Sequence, residues 1–179
     1  MYGITCLNNQ RRETVMKIVH KNILLIWLVL LPFFGYSQKK SALFKPLTFS
    51  QLQDSMQLHP KPILLKLSTD WCVYCKLQDK QIEKSDSLQK ILQNNFYYVE
   101  MDAETKATIS FNGRQYRSRS NGLSKGVHEL AEALGKENGQ IGYPVILVLN
   151  ERYNMLFRYQ GLMGKKELIK VLLLTTEMK

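Results

Sequence analysis

Apolar residues in this chain come in short runs, and the spacing within each run assigns it to strand or helix. Pro62-Ile63-Leu64-Leu65-Lys66-Leu67 and Val145-Ile146-Leu147-Val148-Leu149 are almost continuous, as in strands buried on both faces. Phe96-Tyr97-Tyr98-Val99-Glu100-Met101, ending at Asp102, reads as a third strand. Met155-Leu156-Phe157-Arg158-Tyr159 returns antiparallel after a turn over Asn150 to Asn154.

Between these runs the apolar period is that of helices. Leu52 and Met56 lie four apart, behind Thr48 or Ser50 as caps with Gln51 or Gln53 three residues on, and His59-Pro60-Lys61-Pro62 ends that helix after Leu58. Lys76 to Glu83 carries Leu77, Gln81 and Ile82 on neighbouring turns. Ser85-Asp86-Ser87 then caps a second piece, Leu88 to Gln93, with Leu88, Ile91 and Leu92 inward and Asn94-Asn95 as its stop. Val127 to Leu134 gathers Val127, Leu130, Ala131 and Leu134 on one face. Lys165 to Glu177 closes the chain with a stripe of Leu168, Ile169, Leu172 and Leu173. Thr108 to Phe111 and Arg114 to Arg117 flank Asn112-Gly113, the dipeptide suited to a type I′ hairpin turn. Alternating helices and strands predict an α/β three-layer α/β/α sandwich around a mixed central sheet, with an inserted hairpin plus helix.

The first 37 residues follow a different logic. Lys17, His20 and Lys21 precede the apolar run Ile23 to Phe34, and Gly35-Tyr36-Ser37 supplies small residues, so residues 1–37 read as a secretory signal cut before Gln38. The run falls short of the ~20 apolar residues of a spanning helix; an uncleaved anchor is the alternative. Met16 offers a second start, which would leave residues 1–15, with Cys6, as an extension. Residues 38–46 are a polar leader, and the domain runs from 47 to 179. The expected address is exported, periplasmic or secreted. Processing would remove Arg11, Arg12, Lys17 and Lys21 against Glu13, lowering the net charge of +10 by three to +7. A basic balance suits acidic partners, but an exported chain without a binding motif is not expected to take nucleic acid.

The chemistry concentrates at Ser68-Thr69-Asp70-Trp71-Cys72-Val73-Tyr74-Cys75-Lys76. The chain has 3 cysteines, and two stand two residues apart where a strand gives way to a helix. A sulfur at a helix N-terminus feels its partial positive charge, which favours thiolate and makes Cys72 the candidate nucleophile. Cys75, one turn further in, is the shielded thiol that can close a disulfide with it. A structural disulfide or half of a metal site are the other readings. The first is disfavoured because a stapled secreted domain carries more cysteines, the second because no further Cys or Cys/His pair is present. His59 is read as a loop residue, and His128-Glu129 lacks the second histidine of a zinc-protease motif.

Trp71-Cys72-x-x-Cys75-Lys76 after an apolar strand, with Tyr143-Pro144 before another, resembles the thioredoxin superfamily, and within it secreted proteins similar to the C-terminal domain of the thiol:disulfide interchange protein DsbD. The resemblance covers residues 45–179 and is weakest over 103–139, read as an insertion. It implies a thioredoxin-like fold and exchange of disulfides with client proteins, with an upstream thiol donor, no cofactor beyond the Cys72–Cys75 disulfide, no metal and no stable membrane span after processing. Reductase- or isomerase-type exchange is the expected direction. A thioredoxin-fold binding module without turnover is the alternative.

The resemblance also implies that Pro144 is a cis-proline facing the cysteines, that Tyr143 takes the peptide-facing position, and that Trp71 shields the pair. Where many thioredoxins carry a buried acid, six residues before the first cysteine, this chain has Lys66; it must snorkel, pair with an acid or lose its proton. Asp79, four residues after Cys75, matches an acid of the DsbD-like domain. In the insertion, Arg114, Arg117, Arg119 and Lys125 gather near Tyr116, either as a solubilising edge or as a surface that recruits acidic client segments to the active-site face.

Overall fold

The computed structural model describes residues 44–119 and 126–177. The expected signal segment and its cleavage point, residues 38–43 of the expected leader, and Lys125 lie outside the described residues.

Thr48 starts α1 (Phe49–Leu58) with a full capping box: its side chain accepts from the Gln51 backbone, and Gln51 reaches back to the Thr48 N–H. Then follow β1 (Ile63–Ser68), α2 (Val73–Glu83), α3 (Asp86–Asn95) and β2 (Tyr97–Asp102). The hairpin β3 (Ile109–Phe111) and β4 (Arg114–Tyr116) forms a small separate sheet. Its turn residues Asn112 and Gly113 both have positive φ, +50° and +72°, as a type I′ turn demands. α4 (Glu129–Gly135), β5 (Val145–Leu149), β6 (Met155–Gln160) and α5 (Lys165–Glu177) complete the chain.

The main sheet has the order β2-β1-β5-β6. β1 pairs parallel with β2 and antiparallel with β5, and β5 pairs antiparallel with β6, so the sheet is mixed. The two near-continuous apolar runs occupy its two interior places, where both faces are covered. Alternation along the strands splits the core. Leu65, Leu67, Val99 and Leu147 pack with α1, α4 and the hairpin, whereas Leu64, Tyr98, Ile146 and Val148 pack with α2, α3 and α5. This is the expected three-layer α/β/α architecture.

Three details depart from the expected pattern. Leu173 is 47% exposed, because α5 buries Leu168, Leu172 and Thr175, a stripe that leaves 173 a quarter-turn away. Leu77 is also exposed, and α2 buries Gln78 instead. Asn94 and Asn95 form the last turn of α3; the helix stops at Phe96, which turns extended into β2.

Candidate active site

β1 ends at Ser68, and the chain crosses the sheet end through Thr69-Asp70-Trp71 before α2 begins. Cys72 is the N-cap of α2, extended at φ −78° and ψ 106°. Its Sγ accepts the Cys75 backbone N–H at 3.0 Å, so an unpaired donor of the first turn points at the sulfur. Cys72 and Cys75 are joined by a disulfide, with Cα atoms 5.3 Å apart. Both residues are buried, Cys72 at 5% and Cys75 at 2% exposure, while Trp71, Val73 and Tyr74 around them are all more than 60% exposed. The sulfurs therefore lie beneath an apolar collar. Access to Cys72 in the oxidised form is narrow.

The register places Val145 opposite Leu67, so Pro144 stands at the same end of the sheet as the cysteines. Pro144 is buried and its bond to Tyr143 is cis. The Tyr143 ring meets the Trp71 ring edge-on, 6.0 Å between centroids. Burial and then the nearby Glu104 and Asp102 carboxylates push the Tyr143 phenol up to about 12. Trp71 lies on the surface, with its indole N–H donating to Glu104 Oε1 at 3.1 Å. Glu104, which sequence reasoning missed, thus fixes the ring beside Cys72. Its only signal was its place just after the end of β2.

Lys66 is 1% exposed and does not snorkel. It shares the Leu64 face, where α2 packs, and its Nζ makes ion pairs with Asp79 of α2 and, at 3.1 Å, with Glu100 of β2. Glu100 also accepts from the Tyr98 hydroxyl. Burial lowers the Lys66 pKa from 10.5 and outweighs the pull of Glu100; burial, then the Glu100 charge, raises Tyr98 well above 10. The carboxylates keep about a third of their exposure, and Asp79, Glu83 and Glu100 line a cleft of about 120 Å³. Asp79 follows Cys75 by one helical turn, so the cluster joins α2 one turn beyond the inner cysteine. Glu100 and Tyr98 went unnoticed in the sequence because only the parallel register of β1 on β2 brings them to Lys66.

Among the described residues no three His, Cys, Asp or Glu side chains come together as metal ligands. His128 is fully buried: its Nδ1 accepts the Leu130 N–H as the N-cap of α4, and its Nε2 faces the Ala107 carbonyl at 3.0 Å.

A disulfide at the cap of the helix that follows a central strand, with a cis-proline at the same sheet end, agrees with what the family comparison finds. A family model described as a thioredoxin-like domain matches residues 49–175. The chain belongs to the thioredoxin-like family. Solved structures similar to it include a thioredoxin from Thermus thermophilus, at 14% identity and TM-score 0.53, covering 75% of this chain and 88% of that one. A thioredoxin-fold protein from Helicobacter pylori is similar at 17% identity and TM-score 0.51, covering 66% and 70%. The reduced DsbD C-terminal domain of Neisseria meningitidis is similar at 17% identity, covering 71% and 96%, though its TM-score of 0.44 adds no weight. No curated protein is similar enough in sequence to count as a relative. The fold and the Cys72-x-x-Cys75 disulfide of this thioredoxin-like chain together support a thiol–disulfide oxidoreductase. No described helix is long and apolar enough to cross a membrane.

Proposed function

We propose that this thioredoxin-like protein is an exported thiol:disulfide oxidoreductase that exchanges disulfides with client proteins and is recharged by an upstream thiol donor. The observation that carries the reading is the Cys72 sulfur at the cap of α2, accepting a backbone N–H of the first turn. That donor and the helix dipole favour the thiolate at Cys72 over the thiol. In the reduced protein the Cys72 thiolate attacks a client disulfide, forming a mixed disulfide and expelling one client sulfur as thiolate. Cys75 then attacks the Cys72 sulfur, the bond to the client breaks, and the second client sulfur leaves. Two electrons pass to the client, and its two thiolates take up the protons that the protein thiols release.

Trp71 and Tyr143 supply an apolar wall for the client segment, and Pro144 sets the backbone beside it. Asp79, paired with Lys66 and one helical turn beyond Cys75, takes the Cys75 proton. The disulfide is the only redox group the reading needs. Export rests on the basic, apolar and small-residue pattern of residues 17–37. The test is paired cysteine variants. Native protein should reduce insulin disulfides when supplied with a thiol, and Cys72→Ser should abolish this. Cys75→Ser should accumulate mixed disulfides with clients. Trapping by Cys72→Ser alone would exchange the two roles, and activity that survives loss of both cysteines would end the reading.

A further inference from the structure

Two buried polar side chains close in sequence to the cysteine pair, Gln78 and Thr69, each keep one polar atom without a partner among the described residues. Gln78 is completely buried on α2, three residues after Cys75, on the neighbouring inward face. Its Oε1 accepts the Met163 N–H at 3.0 Å, and only the oxygen of an amide can do so, which fixes the orientation of the group. Its Nε2 is thereby a donor, and it finds no partner among the described residues. Met163 belongs to the loop after β6, whose Gly161 N–H bonds the Pro144 carbonyl at 2.7 Å. The Gln78 amide therefore ties α2 to the loop whose Gly161 holds the Pro144 carbonyl. Thr69 stands three residues before Cys72, in the turn that leads into α2. Its carbonyl accepts the Cys72 N–H at 3.1 Å, its side chain is buried, and its hydroxyl has no partner among the described residues.

Buried polar groups in folded proteins are almost always paired, and an unpaired one at a redox site calls for a reason. The sulfurs supply it. A disulfide sulfur is a weak acceptor, whereas a thiolate carries a full charge and takes strong, charge-assisted hydrogen bonds. We propose that Gln78 and Thr69 are donors held in reserve for the sulfur released when the Cys72–Cys75 bond opens, Gln78 for Cys75 and Thr69 from the turn before Cys72. The closed state then contains two unsatisfied donors and the open state satisfies them. The pair raises the reduction potential, and the Gln78 amide favours the Cys75 thiolate needed to resolve the mixed disulfide. In that step Cys75 forms its bond to Cys72, the Cys72–client bond breaks, and the electron pair leaves on the client sulfur.

The inference rests on the exchange function proposed above, but its test does not require turnover. Native protein, Thr69→Val and Gln78→Met would each be equilibrated with reduced and oxidised glutathione, and the melting temperature of each redox form measured. Gln78→Met also loses the bond to Met163, but it loses it in both redox forms, so that loss cancels in the equilibrium constant. Each variant should move the equilibrium about tenfold towards the disulfide, about 30 mV for this two-electron couple. Tm should fall in the reduced form relative to the oxidised form. A shift confined to one variant keeps the role for that residue and removes it from the other. Equilibrium constants unchanged in both variants, with the Tm of the two redox forms moving together, would overturn the proposal even if insulin reduction is intact. Loss of insulin reduction with the equilibrium shifts present would instead sink the exchange function.

Discussion

Lys66 concentrates the electrostatic tension of the molecule in one side chain. An ammonium at 1% exposure has lost nearly all its water, while the two carboxylates that face it retain about a third of theirs. Desolvation therefore falls mainly on the cation, which is why its pKa is lowered despite Glu100. The two ways of breaking the cluster should then differ sharply. Removing the acids with Asp79→Asn and Glu100→Gln strands a buried charge and should cost about 3–5 kcal/mol of stability. Lys66→Met removes the costly charge and leaves acids that water can reach, so its effect should stay within about 1 kcal/mol of native. The sign with pH follows. Below 10.5 the unfolded chain holds the lysine proton more firmly than the folded one, so the Lys66 contribution to stability rises with pH towards 10.5. Urea unfolding across alkaline pH should show this component in the native protein and lack it in Lys66→Met. Equal losses in the two variants would refute the assignment of the cost to the cation. The anomaly of a lysine at this place was visible in the sequence, as was Asp79 one turn beyond Cys75. Glu100 was not, because its partnership depends on strand order.

At the scale of elements, periodicity identified each helix and strand that frames the site, and the errors fell where tertiary contacts overrule it. α4 is an instance. The expected stripe began at Val127, but the helix starts at Glu129 because the His128 ring caps it and at the same time engages the Ala107 carbonyl. No local pattern announces a histidine cap that doubles as a tie to a distant loop. The His128 backbone N–H also bonds the Ala103 carbonyl at 2.7 Å, so this residue holds both ends of the 103–107 segment that carries Glu104. His128→Ala should lose the cap, about 1 kcal/mol, and leave buried backbone groups unpaired, for a total of about 2–4 kcal/mol in urea unfolding. His128→Asn restores the cap without the reach to Ala107 and should recover roughly half of that loss. Equal stability of the Ala and Asn variants would show that the cap contributes nothing. Gln78 escaped notice for a related reason: a polar residue on the inward face of α2 makes sense only once the loop holding Met163 is in place.

The whole molecule is polarised along its strands, and this decides what the inserted hairpin can do. The cysteines, Tyr143 and Pro144 lie at the end of the sheet where β1 finishes and β5 begins. Phe111 packs edge-on against Phe49 and against Tyr153, which belongs to the turn between β5 and β6 at the opposite end. The hairpin tip with Arg114 is thus displaced from the site by the length of β5, roughly 17 Å for five residues. That exceeds the Debye length of about 10 Å at 0.1 M salt. Two of the cations are engaged at close range. Arg114 stacks on the Tyr116 ring at 5.2 Å, and Arg119 pairs with Glu132 at 2.6 Å and Glu129 at 4.0 Å. An insertion that recruits acidic clients to the active-site face needs unpaired charge near that face, and Arg114 and Arg119 do not provide it. Replacing Arg114 and Arg119 by Ser should therefore leave the rate of mixed-disulfide formation with a client within about twofold of native. The two proteins should also share one salt slope between about 0.1 and 1 M. A variant that reacts several-fold more slowly at low salt and converges with native at high salt would restore the recruiting role to the hairpin.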